Sequence, residues 1–159
     1  MSEEQKTNEQ KLDNYINQII NADCLDILRQ LPDKCVDLVL TDPPYGTTAC
    51  KWDSVIPFEP MWRELKRVVK ENGAICLWGS EPFSSALRMS NPKMFRYDWI
   101  WDKKSAGNIL CAKYQPLKKH EIISVFSTLT PRYFPIFTRG QKDRTTQKPT
   151  KKIVICFQE

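Results

Sequence analysis

The stretch that most constrains this chain runs from Val36 to Gly46 and reads V-D-L-V-L-T-D-P-P-Y-G. Its first half is apolar and predicts a buried strand. Asp42-Pro43-Pro44 must end that strand, because proline has no N–H to donate to a β-ladder. A carboxylate and the Tyr45 ring are therefore placed in a stiff turn at the carboxyl end of a strand, where ligands of open α/β sheets bind.

This turn suits chemistry on the exocyclic amine of a nucleobase. The lone pair of such an amine is delocalised into the ring, and acceptors that hold its hydrogens favour a pyramidal, more nucleophilic nitrogen. Asp42 and the Pro43 carbonyl are acceptors of this kind, and the Tyr45 ring offers a face to a base turned out of its stack. The alternative is a strand end punctuated by prolines, with Tyr45 half-buried for packing alone.

Beyond this turn, the chain resembles the DNA amino-methyltransferases, in the group whose D-P-P-Y motif precedes the glycine-rich cofactor loop (the β-type motif order). The resemblance covers nearly all of the chain after the first dozen residues. Besides T-D-P-P-Y-G, it rests on segments that follow that group's order, at 21–32, 62–73, 97–103, 120–126 and 146–149. It implies a partial Rossmann-like, S-adenosylmethionine-dependent methyltransferase fold: an α/β fold with a mostly parallel sheet and an antiparallel edge pair.

The resemblance also implies roles for individual residues. A flipped adenine in DNA would be methylated at N6, with S-adenosylmethionine as the cofactor. The implied catalytic residues are Asp42, Pro43, Pro44 and Tyr45. The implied cofactor-binding residues are Asp23, Asp42, Gln147, Lys148 and Pro149. Lys148 would pair with the cofactor carboxylate, whereas Asp23 is explained equally well as a helix N-cap.

Periodicity along the chain predicts alternating strands and helices. A short strand at 15–20, a helix with Leu25, Leu28 and Leu31 on one face, and the strand before Asp42 form the unit of a parallel sheet. The further predicted elements are an amphipathic helix over 58–71 that stops at Asn72-Gly73, a buried strand over 74–78, and an antiparallel edge pair formed by 95–101 and 120–127.

Two further places near this sheet edge are candidates for ligand contact. Trp52, in the aperiodic loop after Gly46, either stacks on nucleic acid or pins the loop to the domain, and pinning is the favoured interpretation. Gly79 and Ser80 end the next strand. The resemblance implies that they line the base pocket, and a simple tight turn explains Gly79 equally well.

The net charge of +5 conceals an uneven distribution. Residues 103–152 contain twelve Lys or Arg and two acidic residues, a net of +10, whereas the rest of the chain carries −5. The basic segment, about 103–146, also contains aromatic residues among its later cations, a mixture that suits contact with nucleic acid. It predicts DNA as the partner, with a solvated charged loop as the alternative.

The totals bound the remaining possibilities. A chain of 159 residues fits one domain; we expect a disordered tail at 1–13 and an incomplete methyltransferase domain at 14–159. No apolar run is long enough for a membrane span, and the start of the chain is not signal-like. Six scattered cysteines and one histidine argue against a metal site and for reduced thiols, which indicates a cytoplasmic protein.

The family's glycine-rich cofactor loop, of the F-x-G-x-G kind, has no counterpart here, because all five glycines are isolated. We therefore expect a domain truncated before that loop and inactive alone, which needs a missing carboxyl-terminal half or a dimer partner. Cytosine-N4 methylation and a non-catalytic nucleic-acid-binding fragment are the alternatives to adenine-N6 methylation.

Overall fold

The computed structural model describes residues 12–107, 109–138 and 152–153. Its helices are α1 (Cys24–Gln30), α2 (Phe58–Val68) and α3 (Phe83–Ser90), with a short 3₁₀ helix at Ile109–Cys111. Its strands are β1 (Val36–Thr41), β2 (Val69–Gly79), β3 (Phe95–Asp102), β4 (His120–Phe126), β5 (Phe137–Thr138) and β6 (Lys152–Ile153).

The main sheet has four strands in the order β1-β2-β4-β3. β1 and β2 are parallel, and β4 is antiparallel to both β2 and β3. A separate antiparallel ladder joins β5 to β6. The open mixed sheet confirms the predicted α/β class and the antiparallel edge pair formed by β3 and β4.

One face of the sheet packs against the helices. The predicted apolar stripe of α2 is buried, with Leu65 at 4% and Val68 at 0% exposure. Trp62 lies with its ring 4.7 Å from that of Phe126 on β4, and its indole N–H donates to Ser90 Oγ at 2.7 Å. The Trp62 ring is therefore buried without leaving its polar atom unpaired.

Arg67 joins α1 to α2. Its guanidinium donates to the carbonyls of Leu28 and Leu31 at 2.7 and 2.8 Å, and it pairs with Asp33 and Glu64. A helix leaves its last carbonyls without partners inside the helix, so a cation at this end satisfies both the hydrogen bonds and the helix dipole. Arg67 therefore fixes the end of α1, from which the chain runs directly into β1.

The predicted end of α2 is wrong. The helix stops at Val68 rather than Glu71, and Asn72-Gly73 lies inside β2 instead of terminating a helix. Val36 pairs with Val69 and Leu38 with Ala74, so four residues of β2 bulge opposite Asp37. Lys70 closes this bulge with an ion pair to Asp37 at 2.7 Å.

The strand predicted at 15–20 is also wrong. Asn17 has φ of 58°, in the left-handed region, which breaks an extended conformation. The Tyr15 N–H donates to the Leu12 carbonyl at 2.8 Å, so the backbone turns here. Ile19 is fully exposed, and this segment pairs with no strand among the described residues.

We predict that Gly73→Ala destabilises the fold by about 1–3 kcal/mol, because the bulge leaves no room for a side chain. A Cβ at this position would lie 2.8 Å from the Asp37 carbonyl oxygen and 2.7 Å from Val69 Cγ1. Urea denaturation followed by circular dichroism measures the change. Gly107→Ala is the matched control, because a Cβ there meets no atom within 4 Å; equal effects of the two substitutions would contradict the prediction.

Candidate active site

The D-P-P-Y turn follows β1 directly, as predicted. β1 ends at Thr41, and Asp42 is exposed at its carboxyl end. Pro43 is buried, whereas Pro44 and Tyr45 are half-buried. The buried proline fixes the backbone of the turn, so the strand delivers the Asp42 carboxylate to the surface in a defined position.

The Tyr45 side chain forms a hydrogen bond with the Asp42 carboxylate. Its hydroxyl donates to Asp42 Oδ1, and its ring stacks on Phe83 at the start of α3, with ring centroids 5.0 Å apart. Burial, the hydrogen bond to Asp42 and the charges of Asp42 and Glu121 all raise the pKa of Tyr45. The phenol therefore stays protonated at neutral pH and donates to one oxygen of the carboxylate.

A cavity of about 590 Å³ lies at the same edge of the sheet as the turn, within the size range of small-ligand sites. It is bounded by the residues after β2, by the start of β4 and by the loop that connects β3 to β4. Ser80, one of the two residues expected in the base pocket, lines it, whereas Gly79 is buried beneath. The D-P-P-Y residues do not line this cavity, but Glu121, on its wall, acts on Tyr45 through its charge.

The residue that shapes the loop after Tyr45 is Asp53, which the sequence analysis did not single out. Its side chain is 8% exposed and accepts hydrogen bonds from the N–H groups of Gly46, Thr47 and Thr48, at 2.8, 2.9 and 2.7 Å, and from Thr48 Oγ1 at 2.8 Å. These bonds lower the pKa of Asp53 to about 2. Asp53 thus gathers three successive N–H groups around one carboxylate.

The interpretation of Trp52 as a pin is wrong. Its side chain is 74% exposed, so it does not anchor the loop to the domain. The anchor is the adjacent carboxylate, because a buried acceptor can satisfy several turn N–H groups at once and an aromatic ring cannot. The sequence signal was available: an acidic residue closes a threonine-rich loop that has no apolar period.

Asp23 is the N-cap of α1. Its Oδ1 accepts from the Leu25 N–H at 2.8 Å and from the Asp26 N–H at 3.4 Å. The capping alternative is therefore confirmed, while a role toward a cofactor stays a prediction. A short connection joins α1 to β1 and reverses the chain, so the start of α1 and the end of β1 lie toward the same edge of the sheet.

The remaining residues predicted to bind the cofactor lie outside the described part of the chain. Gln147, Lys148 and Pro149 lie outside the described residues, as does most of the segment after 138.

In residues 12–107 and 109–138, no group of three His, Cys, Asp or Glu side chains is arranged to hold a metal ion. No helix in the same part of the chain is long and apolar enough to cross a membrane.

We predict that Asp53→Asn loosens the loop at 46–48, because an amide cannot accept all four of these hydrogen bonds. The amide protons of Gly46, Thr47 and Thr48 should exchange about tenfold faster or more at neutral pH. Hydrogen exchange followed by NMR measures this effect. Asp26→Asn, an exposed substitution on α1, is the control and should leave these amides unchanged.

The same carboxylate gives the loop a defined pH dependence. The pKa of Asp53 is depressed in the folded state. Its contribution to the stability of the loop is therefore complete above the ordinary pKa of 3.8 and is lost as the pH falls through about 2. The amide shifts of residues 46–48 should therefore titrate with a midpoint near pH 2. A midpoint near 3.8 would show that the hydrogen bonds to Asp53 do not form.

Comparison with known proteins gives relatives over part of the chain. No protein-family model matches. A stretch of 101 residues is 32% identical to the type II methyltransferase M1.MboII of Moraxella bovis and covers 56% of this chain and 38% of that protein. A stretch of 94 residues is 26% identical to the type II methyltransferase M.HinfI of Haemophilus influenzae and covers 45% of this chain and 26% of that protein. The matched regions thus span well under half of either relative.

Solved structures show the same architecture. The M1.HpyAVI complex with SAM superposes with a TM-score of 0.53 at 18% identity, covering 80% of this chain and 63% of that one. The cytosine-N4-specific PvuII DNA methyltransferase superposes with a TM-score of 0.51 at 14% identity, covering 69% and 48%. At these identities the likeness shows the fold alone. The chain therefore has the α/β fold found in DNA methyltransferases, and its sequence relatives are type II methyltransferases that it matches over part of their length.

Proposed function

We propose that this chain carries the catalytic turn of a DNA methyltransferase that transfers a methyl group from S-adenosylmethionine to an exocyclic base amine, with adenine N6 as the target. The observation that carries the proposal is the D-P-P-Y turn at the carboxyl end of β1, with Asp42 exposed and bonded to Tyr45. The sequence relatives and the shared fold support the reaction class. The Asp at the first position of the motif supports adenine, by resemblance to the family.

In this proposal the two oxygens of Asp42 have different tasks. The Tyr45 hydroxyl occupies Oδ1 and holds the carboxylate in one orientation. Oδ2 then accepts one hydrogen of the target amine, and the Pro43 carbonyl accepts the other. Both acceptors draw the nitrogen toward a pyramidal geometry, so its lone pair becomes available for attack. The free face of Tyr45, opposite Phe83, receives the flipped base.

The residues at this edge fit the proposed cofactor. S-adenosylmethionine supplies an electrophilic methyl group on a sulfonium sulfur. Asp42 is an exposed carboxylate at this edge, and Asp23 uses only Oδ1 for capping, so its Oδ2 could accept a hydrogen bond from the cofactor. We assign Gln147, Lys148 and Pro149 to its methionine end. Asp42 or water would accept the proton that the amine loses as it gains that methyl group.

The face of the sheet opposite the helices is only partly covered, which supports a further part of the proposal, that another polypeptide segment completes the domain. Opposite the helices, Leu38 and Leu40 on β1 are 52% and 42% exposed, and Tyr97 and Trp101 on β3 are also exposed. Among the described residues β1 has a partner on one side only. Parallel strand pairs such as β1 and β2 are normally covered on both faces, so we assign the exposed face and the free edge of β1 to a carboxyl-terminal portion or a partner subunit.

Methyl transfer from labelled S-adenosylmethionine to duplex DNA tests the function. The chain is assayed alone and with the carboxyl-terminal portion of the Moraxella bovis relative supplied as a separate polypeptide. We predict incorporation into adenine N6 in the mixture and a loss of about a hundredfold or more for Asp42→Ala, since an interaction made in the transition state is removed. Asp37→Ala, on the same strand but at its opposite end, is the matched control and should retain activity.

The product distinguishes the remaining possibilities. Hydrolysis of the labelled DNA and chromatography of the bases separate N6-methyladenine from N4-methylcytosine, and the second product would overturn the choice of adenine. Absence of incorporation in every mixture, together with DNA binding that weakens as salt increases, would instead identify a non-catalytic nucleic-acid-binding module.

A further inference from the structure

The loop between β3 and β4, residues 103–119, is pinned at its base. The Lys103 N–H donates to the Lys119 carbonyl at 2.8 Å, and the Gly107 N–H donates to the Lys118 carbonyl at 3.2 Å. The Lys118 ammonium donates to Ser80 Oγ at 2.8 Å, which ties the loop to the end of β2. The ends of the loop are thus fixed, and we call the largely exposed residues between them, 109–114, the tip.

That tip exposes three large apolar or aromatic side chains. Ile109 is 73%, Leu110 90% and Tyr114 87% exposed. They are held by the short 3₁₀ helix and by two hydrogen bonds to the Cys111 carbonyl, from the N–H groups of Tyr114 and Gln115 at 2.9 and 3.0 Å. Single exposed apolar residues are common on protein surfaces, but several of them together on one short loop segment indicate an interaction site.

The charge around the tip indicates the kind of partner. The loop contains five lysines and no acidic residue. Lys103 pairs with Glu121 at 2.5 Å, and Lys119 lies 3.9 Å from Asp102. Lys104 and Lys113 form no ion pair within the described residues. Apolar side chains flanked by unpaired cations fit a polyanion that also offers apolar surfaces, which describes the phosphates and base faces of DNA.

The position of the tip relates it to the proposed base site. Gly107 on one side of it, and Gln115, Leu117 and Lys118 on the other, line the cavity at the same edge of the sheet as the D-P-P-Y turn. A base flipped into that cavity would leave a gap in the duplex at the mouth of the cavity. The tip lies between these lining residues in the chain.

We propose that Ile109, Leu110 and Tyr114 form a wedge that enters the base stack and occupies the gap left by the flipped nucleotide. The inference rests on the proposed function, because it requires a DNA duplex at this edge of the sheet. Apolar contact between the wedge and the neighbouring base faces offsets part of the cost of unstacking. Lys104 and Lys113 hold the adjacent phosphates.

The test uses two duplexes of the same sequence, one intact and one with a central abasic site that mimics the vacated position. Affinity is measured with the whole chain by fluorescence anisotropy. We expect the chain to bind the abasic duplex about tenfold more tightly than the intact one, the size of one stacking contact. Leu110→Ala and Tyr114→Ala should each remove most of this preference while leaving affinity for the intact duplex nearly unchanged.

Two controls separate the wedge from general DNA affinity. Met89→Ala, which removes a 74% exposed apolar side chain from α3, should keep the preference. Lys113→Ala should weaken binding to both duplexes equally and reduce the salt slope by about one.

Each remaining outcome is decisive. If the chain binds DNA but the tip variants keep the full preference, or change only its self-association in light scattering, the wedge is overturned and the proposed function stands. If the wild-type chain shows no salt-dependent binding to either duplex, DNA contact by this loop is overturned and the wedge with it, whereas methyl transfer in the mixture decides the proposed function separately.

Discussion

Two consecutive prolines that cannot join a β-ladder determine the arrangement of this site. They stop β1 at Thr41 and leave Asp42 exposed directly above a buried Pro43. Tyr45 then reaches back to hydrogen-bond the carboxylate, and its ring rests on Phe83. The orientation of the acid therefore depends on the backbone and on packing, so little reorganisation is needed when a ligand arrives.

A second layer of contacts supports this turn. Asp53 holds the following residues by their N–H groups, and Arg67 fixes the end of α1 before the chain enters β1. Each is a charged side chain that satisfies several backbone groups at once, an arrangement stronger than neutral hydrogen bonds. The turn is thus held from both sides in the sequence, by the segment before β1 and by the loop after it.

Elements with a strong local pattern could be predicted from the sequence. The positions of β1 and β3 and the apolar stripe of α2 all follow from the spacing of apolar residues. The prediction that β1 is buried is wrong, because it has a partner on one side only among the described residues and Leu38 and Leu40 are 52% and 42% exposed. The predictions were wrong where contacts between residues distant in the sequence determine the local structure. The bulge at 69–73 depends on its pairing with β1, so Asn72-Gly73 resembled a helix stop when taken alone. Residues 15–20 have the composition of a strand but no neighbouring strand among the described residues. The hydrogen bonds of Asp53 to the N–H groups of residues 46–48 depend on the conformation of the folded loop, which the sequence pattern does not specify.

The most direct measurement is amide NMR of the chain during titration with adenosine, which reports whether a purine binds beside the D-P-P-Y turn without requiring turnover or a known DNA sequence. A base held by Asp42 and stacked on Tyr45 should shift the amides of Gly46, Ser80 and Glu121, and Asp42→Ala should abolish those shifts. Adenosine-induced shifts confined to other parts of the chain, or identical shifts in the variant, would contradict a base-binding role for this turn.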